Sequence, residues 1–235
     1  MTTIGILKCG AVPAELQEQH GDYDRMFTEL LGSAFKYRVY NVESNELPQL
    51  PDQCDGWLIT GSRHGVYEDH IWIKPLEEFL RACYDRAIPI VGICFGHQIL
   101  AQALGGRVEK FDKGWSVGQV QYAMENEDQP SCVNAMHQDQ VLEPPPGAKT
   151  YGSTDFCKHA FISYGDRAFS MQPHPEFNDE YTKDLIEMRK DIITPQGSAQ
   201  QALDDFATPL STDRWADDIR NFFLHNASPD TTDTV

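Results

Sequence analysis

A short strand that runs directly into a helix constrains the fold of this chain more than any other segment. Residues 88–93 form an apolar, largely β-branched run, and residues 96–104 then change to helical spacing. Cys94 stands at the join, with Gly92 and Gly96 two residues to either side. Small residues there allow a sharp turn that presents a nucleophile above a sheet edge, at a helix N-terminus that favours thiolate. A small buried cysteine at an ordinary βα junction gives the same local pattern.

Strands and helices alternate along the chain. Strands are predicted at 3–9, 37–42, 56–60, 88–93 and 168–172, and helices at 22–31, 72–86, 96–104, 177–192 and 213–225. This alternation predicts an α/β fold, a three-layer αβα sandwich whose mostly parallel central sheet has helices on both faces. Ligands in such folds bind at the carboxyl ends of the strands, where the loop after Thr60 and the Cys94 turn meet.

The pattern changes after residue 106 to short alternating strands. Residues 107–111 and 117–123 are predicted to pair as a hairpin around the turn at 112–114. Further short strands are predicted at 150–153 and 160–163, which together make a small antiparallel excursion from the parallel sheet.

The remaining segments are predicted to be less regular. Residues 10–21 form a loop in this interpretation, and 195–208 are either helical or irregular. Residues 1–228 are expected to form a single catalytic domain, and 229–235 a polar C-terminal tail.

The composition excludes several classes of partner and compartment. A formal net charge of −17 opposes binding to nucleic acid or to an anionic membrane surface. The six cysteines lack any C-x-x-C pair, so neither a zinc site nor a disulfide framework is predicted, and a reducing, cytoplasmic location is expected. There is no signal-peptide pattern and no apolar run approaching ~20 residues, so neither secretion nor membrane insertion is expected.

The motif Pro173-His174-Pro175-Glu176, directly after the last predicted strand, bears on the role of Cys94. A nucleophile needs a base within reach, and a carboxylate next to that base holds its imidazole in one tautomer. A histidine and a glutamate two residues apart at a strand end can both face one cleft. With Cys94 at the end of another central strand, the pattern predicts a Cys94–His174–Glu176 catalytic triad.

Both motifs resemble those of the class I (triad) glutamine amidotransferases, in particular the stand-alone proteins similar to the glutaminase domain of GMP synthase. Residues 92–98 match the family's G-x-C-x-G-x-Q elbow, and 173–176 match its P-H-P-E motif. Residues 59–62 are placed like the family's oxyanion loop, and 136–139 like its S-H-G-D segment. The resemblance covers about residues 3–192 and implies a flavodoxin-like fold.

The resemblance also implies a role for each matched residue. Cys94 attacks the γ-carbonyl of glutamine, His174 takes and returns the proton, and Glu176 orients His174. The residues that map to the substrate-binding positions are Gln98, His137, Gln138 and Asp139.

The family's oxyanion hole maps to backbone N–H groups of Phe95 and of Ser62 or its neighbour Gly61. Donors fixed before reaction stabilise the developing oxyanion, so backbone groups suit this task. The sequence departs from the family in having Ser62-Arg63 where Gly-Pro is usual. Backbone donation survives that change, but the conformation of the loop and access to the site are expected to differ.

Three further residues lie near the expected cleft. His64 and His97 are interpreted as structural or solvated rather than catalytic. Trp115 is expected either to line the pocket or to have only a packing role. The implied chemistry needs no metal and no redox cofactor.

Three functions fit these features. The first is a glutaminase that releases ammonia for a synthetase; because the chain has no Walker A motif, that acceptor is expected to be a separate protein. The second is a self-sufficient γ-glutamyl hydrolase or peptidase with a more open pocket. The third is a non-catalytic sensor with a reactive cysteine, although a sensor does not need the His174–Glu176 pair. An α/β-hydrolase is disfavoured because its acid normally precedes its histidine in the chain.

Overall fold

The computed structural model describes residues 1–227, and the predicted tail at 229–235 lies outside them. The seven α-helices of the described part are α1 (Ala14–His20), α2 (Tyr23–Leu31), α3 (Ile73–Asp85), α4 (Phe95–Ala103), α5 (Asp179–Arg189), α6 (Ser198–Asp204) and α7 (Thr212–Asn226). Single 3-10 turns lie at Gly32–Ala34, Val42–Ser44 and Pro51–Gln53. None of these helices is long and apolar enough to cross a membrane.

Eleven β-strands account for the rest of the described regular structure. They are β1 (Thr3–Lys8), β2 (Lys36–Asn41), β3 (Gly56–Ile59), β4 (Ile90–Ile93), β5 (Arg107–Lys110), β6 (Ser116–Met124), β7 (Ser131–His137), β8 (Asp139–Glu143), β9 (Lys149–Ser153), β10 (Phe161–Ser163) and β11 (Ala168–Met171). Nine of them form one sheet in the order β2-β1-β3-β4-β11-β10-β9-β6-β7, and β5 pairs separately with β8.

The first five strands of this order are all parallel, and the site is built on them. β1 lies between β2 and β3, and β4 lies between β3 and β11. From β11 onwards each neighbouring pair is antiparallel. The antiparallel part is therefore more extensive than the predicted excursion, because it continues the central sheet by four strands.

Alternate residues of the parallel strands face two different apolar layers. In β3, Trp57 and Ile59 pack with α3 and α4, whereas Leu58 packs with α2 and α7 on the other face. A third apolar cluster joins α5 and α6 to the loop at Val12. Helices thus cover both faces of the parallel strands, which confirms the predicted three-layer αβα sandwich.

Two local predictions are wrong. Residues 107–111 and 117–123 do not pair as a hairpin, because β5 pairs with β8 whereas β6 pairs with β7 and β9. The segment between them crosses to the chain near Thr194, whose carbonyl accepts the Trp115 N–H at 2.8 Å. Part of the predicted loop at 10–21 is helix α1, which buries none of its residues and so lacks the apolar periodicity of a core helix.

Candidate active site

Cys94 occupies a strained turn between β4 and α4. Its backbone has φ 53° and ψ −104°, outside the regions that L-residues ordinarily adopt. A Cβ atom on Gly92 would lie 2.4 Å from the carbonyl oxygen of Gly96, and one on Gly96 would lie 2.4 Å from that of Ile59. The turn can form only because both residues are glycine, as the sequence pattern indicates.

The histidine turn lies beside the cysteine turn because β11 pairs in parallel with β4. Met171 is the partner of Ile93 in the sheet, and its carbonyl accepts the Cys94 N–H at 2.9 Å. Three residues beyond Met171, the N–H of His174 donates to the carbonyl of Asn134 at 2.8 Å. The segment that carries the predicted base is therefore hydrogen-bonded to Cys94 through Met171 and to β7 through His174.

The imidazole of His174 is fixed by two neighbours. Its Nδ1 is 2.7 Å from Oε1 of Glu176, and its ring stacks on Phe177 with centroids 3.8 Å apart and planes 6° apart. Glu176 is fully buried, and only 4% of the His174 side chain is exposed. A carboxylate at Nδ1 leaves Nε2 for proton exchange with the nucleophile.

Charge on Glu176 and Cys94 favours the protonated form of His174. Burial by itself lowers the pKa of His174, but the Glu176 carboxylate and the Cys94 sulfur outweigh it and raise the pKa well above its usual value. Burial raises the pKa of the other five cysteines, which keeps them as neutral thiols. An imidazolium next to Cys94 is the arrangement that stabilises a thiolate.

The predicted oxyanion donors lie around the same point. A Cβ on Gly61 would lie 2.9 Å from Cε1 of His174 and 3.8 Å from Cβ of Cys94, so this loop passes directly over the pair. Within the described residues, the backbone N–H groups of Gly61, Ser62 and Phe95 have no hydrogen-bond acceptor. These donors are therefore available to a ligand.

A cavity of about 150 Å³ opens next to Cys94. The predicted residues that line it are Ser62, Gln98, Trp115, His137, Gln138 and Asp139. A larger open groove of about 700 Å³ runs along β6 and α6, but neither cysteine nor histidine lines it. The smaller cavity is the one that combines a nucleophile with polar groups and enclosed space.

Hydrogen bonds hold the predicted substrate-binding residues in place. The amide of Gln98 donates to the carbonyl of Asp139 at 2.9 Å and to Oε1 of Gln172 at 3.1 Å. The amide of Gln138 donates to the carbonyl of Phe111 at 3.0 Å, so this N–H is not free to donate to a ligand. The carboxylate of Asp139 accepts the Tyr67 hydroxyl at 2.9 Å.

His137 is a buried, neutral histidine at the cavity wall. Its Nδ1 lies 3.1 Å from the carbonyl of Asp139, and burial lowers its pKa to about 4. Nδ1 therefore carries the proton, and Nε2 is an acceptor. Nε2 is buried without a partner among the described residues, so it can accept a hydrogen bond from a ligand.

Sequence reasoning missed several residues that line the cavity, among them Tyr67, Glu68, Lys110 and Arg189. Arg189 ends α5 and Lys110 ends β5, so both are brought to the site only by the packing of distant elements. A single basic residue at the end of a helix or strand forms no local sequence pattern from which a place in the site could be predicted.

The two other histidines of interest differ in environment. His97 is fully buried in α4, its Nδ1 lies 2.7 Å from the Ser170 hydroxyl, and burial lowers its pKa to about 3. It does not line the cavity. His64 does line the cavity and, with Glu68 and His70, forms the one His/Cys/Asp/Glu cluster within residues 1–227 that is compact enough to hold a metal ion.

Comparison with known proteins agrees with these motifs. The profile of the family described as Glutamine amidotransferase class-I matches residues 22–189. A glutamine amidotransferase-like protein of Schizosaccharomyces pombe is 30% identical over 94% of this chain and 98% of its own length. Gamma-glutamyl peptidase 4 of Arabidopsis thaliana is 30% identical over 73% of this chain and 74% of its own length.

The fold has a counterpart among solved structures. A glutamine amido transferase from Methylobacillus flagellatus superposes with a TM-score of 0.77 and 15% sequence identity, covering 100% of this chain and 99% of that one. At this identity the likeness concerns the fold alone. The match of the family profile over most of the chain, with a full-length relative at 30% identity, shows that this protein belongs to the class I glutamine amidotransferase family.

Proposed function

We propose that this protein hydrolyses the γ-amide of L-glutamine to glutamate and ammonia through a thioester on Cys94. The observation that carries the proposal is the strained Cys94 turn beside the buried His174–Glu176 pair. No other cysteine of the described chain has a turn of this kind together with a histidine–carboxylate pair.

In the first half of the reaction, the Cys94 thiolate attacks the γ-carbonyl carbon and a C–S bond forms. The carbonyl oxygen becomes an oxyanion, which the N–H groups of Phe95 and Ser62 or Gly61 stabilise. The intermediate collapses and the C–N bond breaks. The leaving nitrogen takes the proton of the His174 imidazolium and departs as ammonia.

In the second half, His174 acts as the base. It takes a proton from a water molecule, whose oxygen attacks the thioester carbon. The C–S bond then breaks, glutamate leaves, and the thiolate and imidazolium are restored. Throughout, the Glu176 carboxylate keeps the Nδ1 proton of His174 in place and compensates its positive charge.

The cavity supports a small, zwitterionic substrate. Its volume of about 150 Å³ is below the ~300–1,000 Å³ typical of sites for drug-sized ligands. Lys110 and Arg189 line it and suit an α-carboxylate, whereas Nε2 of His137 and the carboxylate of Asp139 suit an α-ammonium group. Gln98, held by two hydrogen bonds, keeps the Asp139 backbone beside the nucleophile.

A second candidate is hydrolysis of larger γ-glutamyl amides or peptides. The similarity to gamma-glutamyl peptidase 4 supports it. The outer wall of the cavity also supports it, since Arg63 and Tyr67 are exposed side chains and a longer leaving group can pass between them. In the glutaminase function, by contrast, the leaving group is ammonia, and a separate synthetase accepts it.

Glutamate release tests both candidates. The purified protein is offered L-glutamine and a panel of γ-glutamyl amines and dipeptides, and glutamate is measured. We expect turnover that Cys94→Ala abolishes, a loss of more than about 10⁴-fold, since the nucleophile is gone. Cys132→Ala, which removes another buried thiol, keeps full activity.

The substrate preference separates the functions. Preference for L-glutamine supports the glutaminase, and preference for a bulkier γ-glutamyl amide supports the peptidase. A Cys94 that reacts with alkylating reagents, in a protein that turns over no γ-glutamyl compound, contradicts both and favours the sensor.

A further inference from the structure

Two histidines and one glutamate of the loop between β3 and α3 cluster at the rim of the cavity, next to Glu43 of the turn after β2. Oε2 of Glu68 lies 3.1 Å from Nδ1 of His64 and 2.7 Å from Nε2 of His70. The two imidazole centroids are 4.1 Å apart. One carboxylate oxygen and two ring nitrogens therefore converge on a single point, with all three ligand atoms within 4.8 Å of one another.

Neighbouring groups orient each of these three side chains. Oε1 of Glu43 is 3.0 Å from Nε2 of His64, so a metal ion that takes Nδ1 leaves an Nε2–H within reach of Glu43. The ring of His70 stacks on Trp72 at 12°. The Gly65 N–H donates to Oε1 of Glu68 at 2.9 Å, which leaves Oε2 to the histidines.

This arrangement has the features of a site for a first-row transition metal. A histidine ligand usually donates its other ring N–H to a carboxylate, and Glu43 lies 3.0 Å from Nε2 of His64, in the place that such a carboxylate takes. The ligand atoms of a tetrahedral Zn²⁺ lie about 3.3 Å apart when its bonds are about 2.0–2.1 Å. The separations of 2.7 and 3.1 Å from Glu68 differ from this value by up to about 0.6 Å, and the two histidine nitrogens lie within 4.8 Å of each other.

The charges around the cluster also favour a dication. Glu43 and Glu68 carry two negative charges between them, which a Zn²⁺ ion on neutral histidines compensates. Arg63 opposes this, because its Nε lies 3.4 Å from Nε2 of His64. The Arg63 side chain is exposed and can turn into solvent, so it does not block the site.

We propose that His64, Glu68 and His70 bind one Zn²⁺ ion, with Glu43 orienting His64 as a positioning residue. His64 lies two residues after Ser62, and its N–H donates to the Ser62 hydroxyl at 3.2 Å. Zn²⁺ bound there links both ends of the segment 64–70 and fixes the loop that carries the Ser62 N–H. The site is separate from the triad and places a metal ion with three protein ligands at the wall of the substrate cavity.

Zinc also binds cysteine thiolates, so the test removes Cys94. Zn²⁺ is titrated by calorimetry into the metal-free Cys94→Ala protein and into Cys94→Ala/His70→Ala. We expect one Zn²⁺ per chain in the first, and at least tenfold weaker binding in the second. The matched control is Cys94→Ala/His225→Ala, because His225 is an exposed histidine of α7 outside the cluster, and it binds as Cys94→Ala does.

Three further measurements sharpen the result. Cys94→Ala/Glu43→Gln is expected to bind about 10–100-fold more weakly, the usual effect of losing a carboxylate behind a ligand. X-ray absorption of the zinc-loaded wild-type protein is expected to show nitrogen and oxygen ligands at about 2.0–2.1 Å and no sulfur at about 2.3 Å. Mg²⁺, which prefers all-oxygen sites, is expected not to compete.

The proposal is overturned if Cys94→Ala binds no Zn²⁺, or if its binding is unchanged by His70→Ala. Thermal unfolding in the presence of a chelator checks that each variant is folded as the parent is. The outcome does not depend on the proposed hydrolase function, because the Cys94→Ala protein has no nucleophile and binding is measured without substrate. Absence of glutamate release from wild-type protein would leave the zinc result standing.

Discussion

The turns that carry the triad and the loop at 61–70 all follow parallel strands of one sheet, yet they are held in different ways. His174 and Glu176 have 4% and 0% of their side chains exposed, whereas His70 and Glu68 have 34% and 40%. Backbone contacts between glycines fix the Cys94 turn. Contacts between imidazole and carboxylate side chains at the protein surface hold the loop.

This difference separates a rigid part of the site from an adjustable one. Removing one partner of a buried charge pair leaves the other charge without compensation, which costs several kcal/mol. An exposed ion pair contributes about 0.2–1 kcal/mol, because water and salt screen it. Substitutions in the triad turns are therefore expected to have large effects on catalysis, and those in the loop small ones.

The largest of these effects is expected for Glu176→Gln. The variant keeps the shape of the side chain but removes the charge that compensates the His174 imidazolium, so kcat falls about 10²–10⁴-fold. Because Glu176 acts through His174, KM changes little. Steady-state kinetics of glutamate release measures both, with the exposed Glu180→Gln as a control of unchanged activity.

The pH profile of the same variant gives the sign of the electrostatic coupling. In the wild-type protein Glu176 raises the pKa of His174, so the basic limb of kcat/KM lies above the usual imidazole pKa of about 6.5. Removing the carboxylate lowers that pKa and moves the limb to lower pH. A limb that stays in place while the rate is retained would remove Glu176 from the triad.

A smaller loss is expected for Gly96→Ala. The new Cβ would lie 2.4 Å from the carbonyl oxygen of Ile59, so α4 has to shift away from β3 and move Cys94. Misplacement of a reacting group by about 1 Å can cost roughly 10²-fold in rate. The measurement is kcat/KM, together with the free energy of unfolding from urea titration.

The control for Gly96→Ala is Gly147→Ala. Gly147 has φ 82° and nothing within 4 Å of its hypothetical Cβ, so alanine there is strained but displaces no neighbour. We expect about 1–2 kcal/mol of lost stability and wild-type kcat/KM. If Gly96→Ala turned over at the wild-type rate, the backbone contacts would not be what positions Cys94.

The smallest effect is expected for Glu68→Gln in the metal-free protein. The amide oxygen still accepts the Gly65 N–H, while the carboxylate contacts to His64 and His70 are lost. Since two such contacts together contribute at most about 2 kcal/mol, kcat/KM changes by less than about thirtyfold. A loss as large as that of Glu176→Gln would show that both parts of the site are equally rigid.

The contrast between the triad turns and the loop at 61–70 also explains which features the sequence predicts well. The Cys94 turn depends on Gly92 and Gly96, which are close to it in sequence. The parallel strands are short apolar runs. The local sequence pattern is therefore enough to predict both. The family relationship, expected from residues 92–98 and 173–176, is confirmed by the family profile. The roles assigned to individual site residues remain proposals for the experiments above.

The sequence says less where structure depends on distant partners. Helix α1 was missed because it buries no residue, and the predicted hairpin at 107–123 is replaced by pairings with β7, β8 and β9. Lys110 and Arg189 reach the cavity only through tertiary packing. The cluster of His64, Glu68 and His70 gains its geometry from Glu43, a residue on a different connection of the sheet.

The most direct test of the account is to trap the acyl-enzyme. The protein is mixed with saturating L-glutamine or the preferred γ-glutamyl amide, quenched in acid during turnover, and digested for peptide mass spectrometry. We predict that the peptide containing Cys94 gains the mass of one γ-glutamyl group, and that hydroxylamine removes it as expected for a thioester. Turnover without this adduct, or an adduct that persists in Cys94→Ala, would contradict the account.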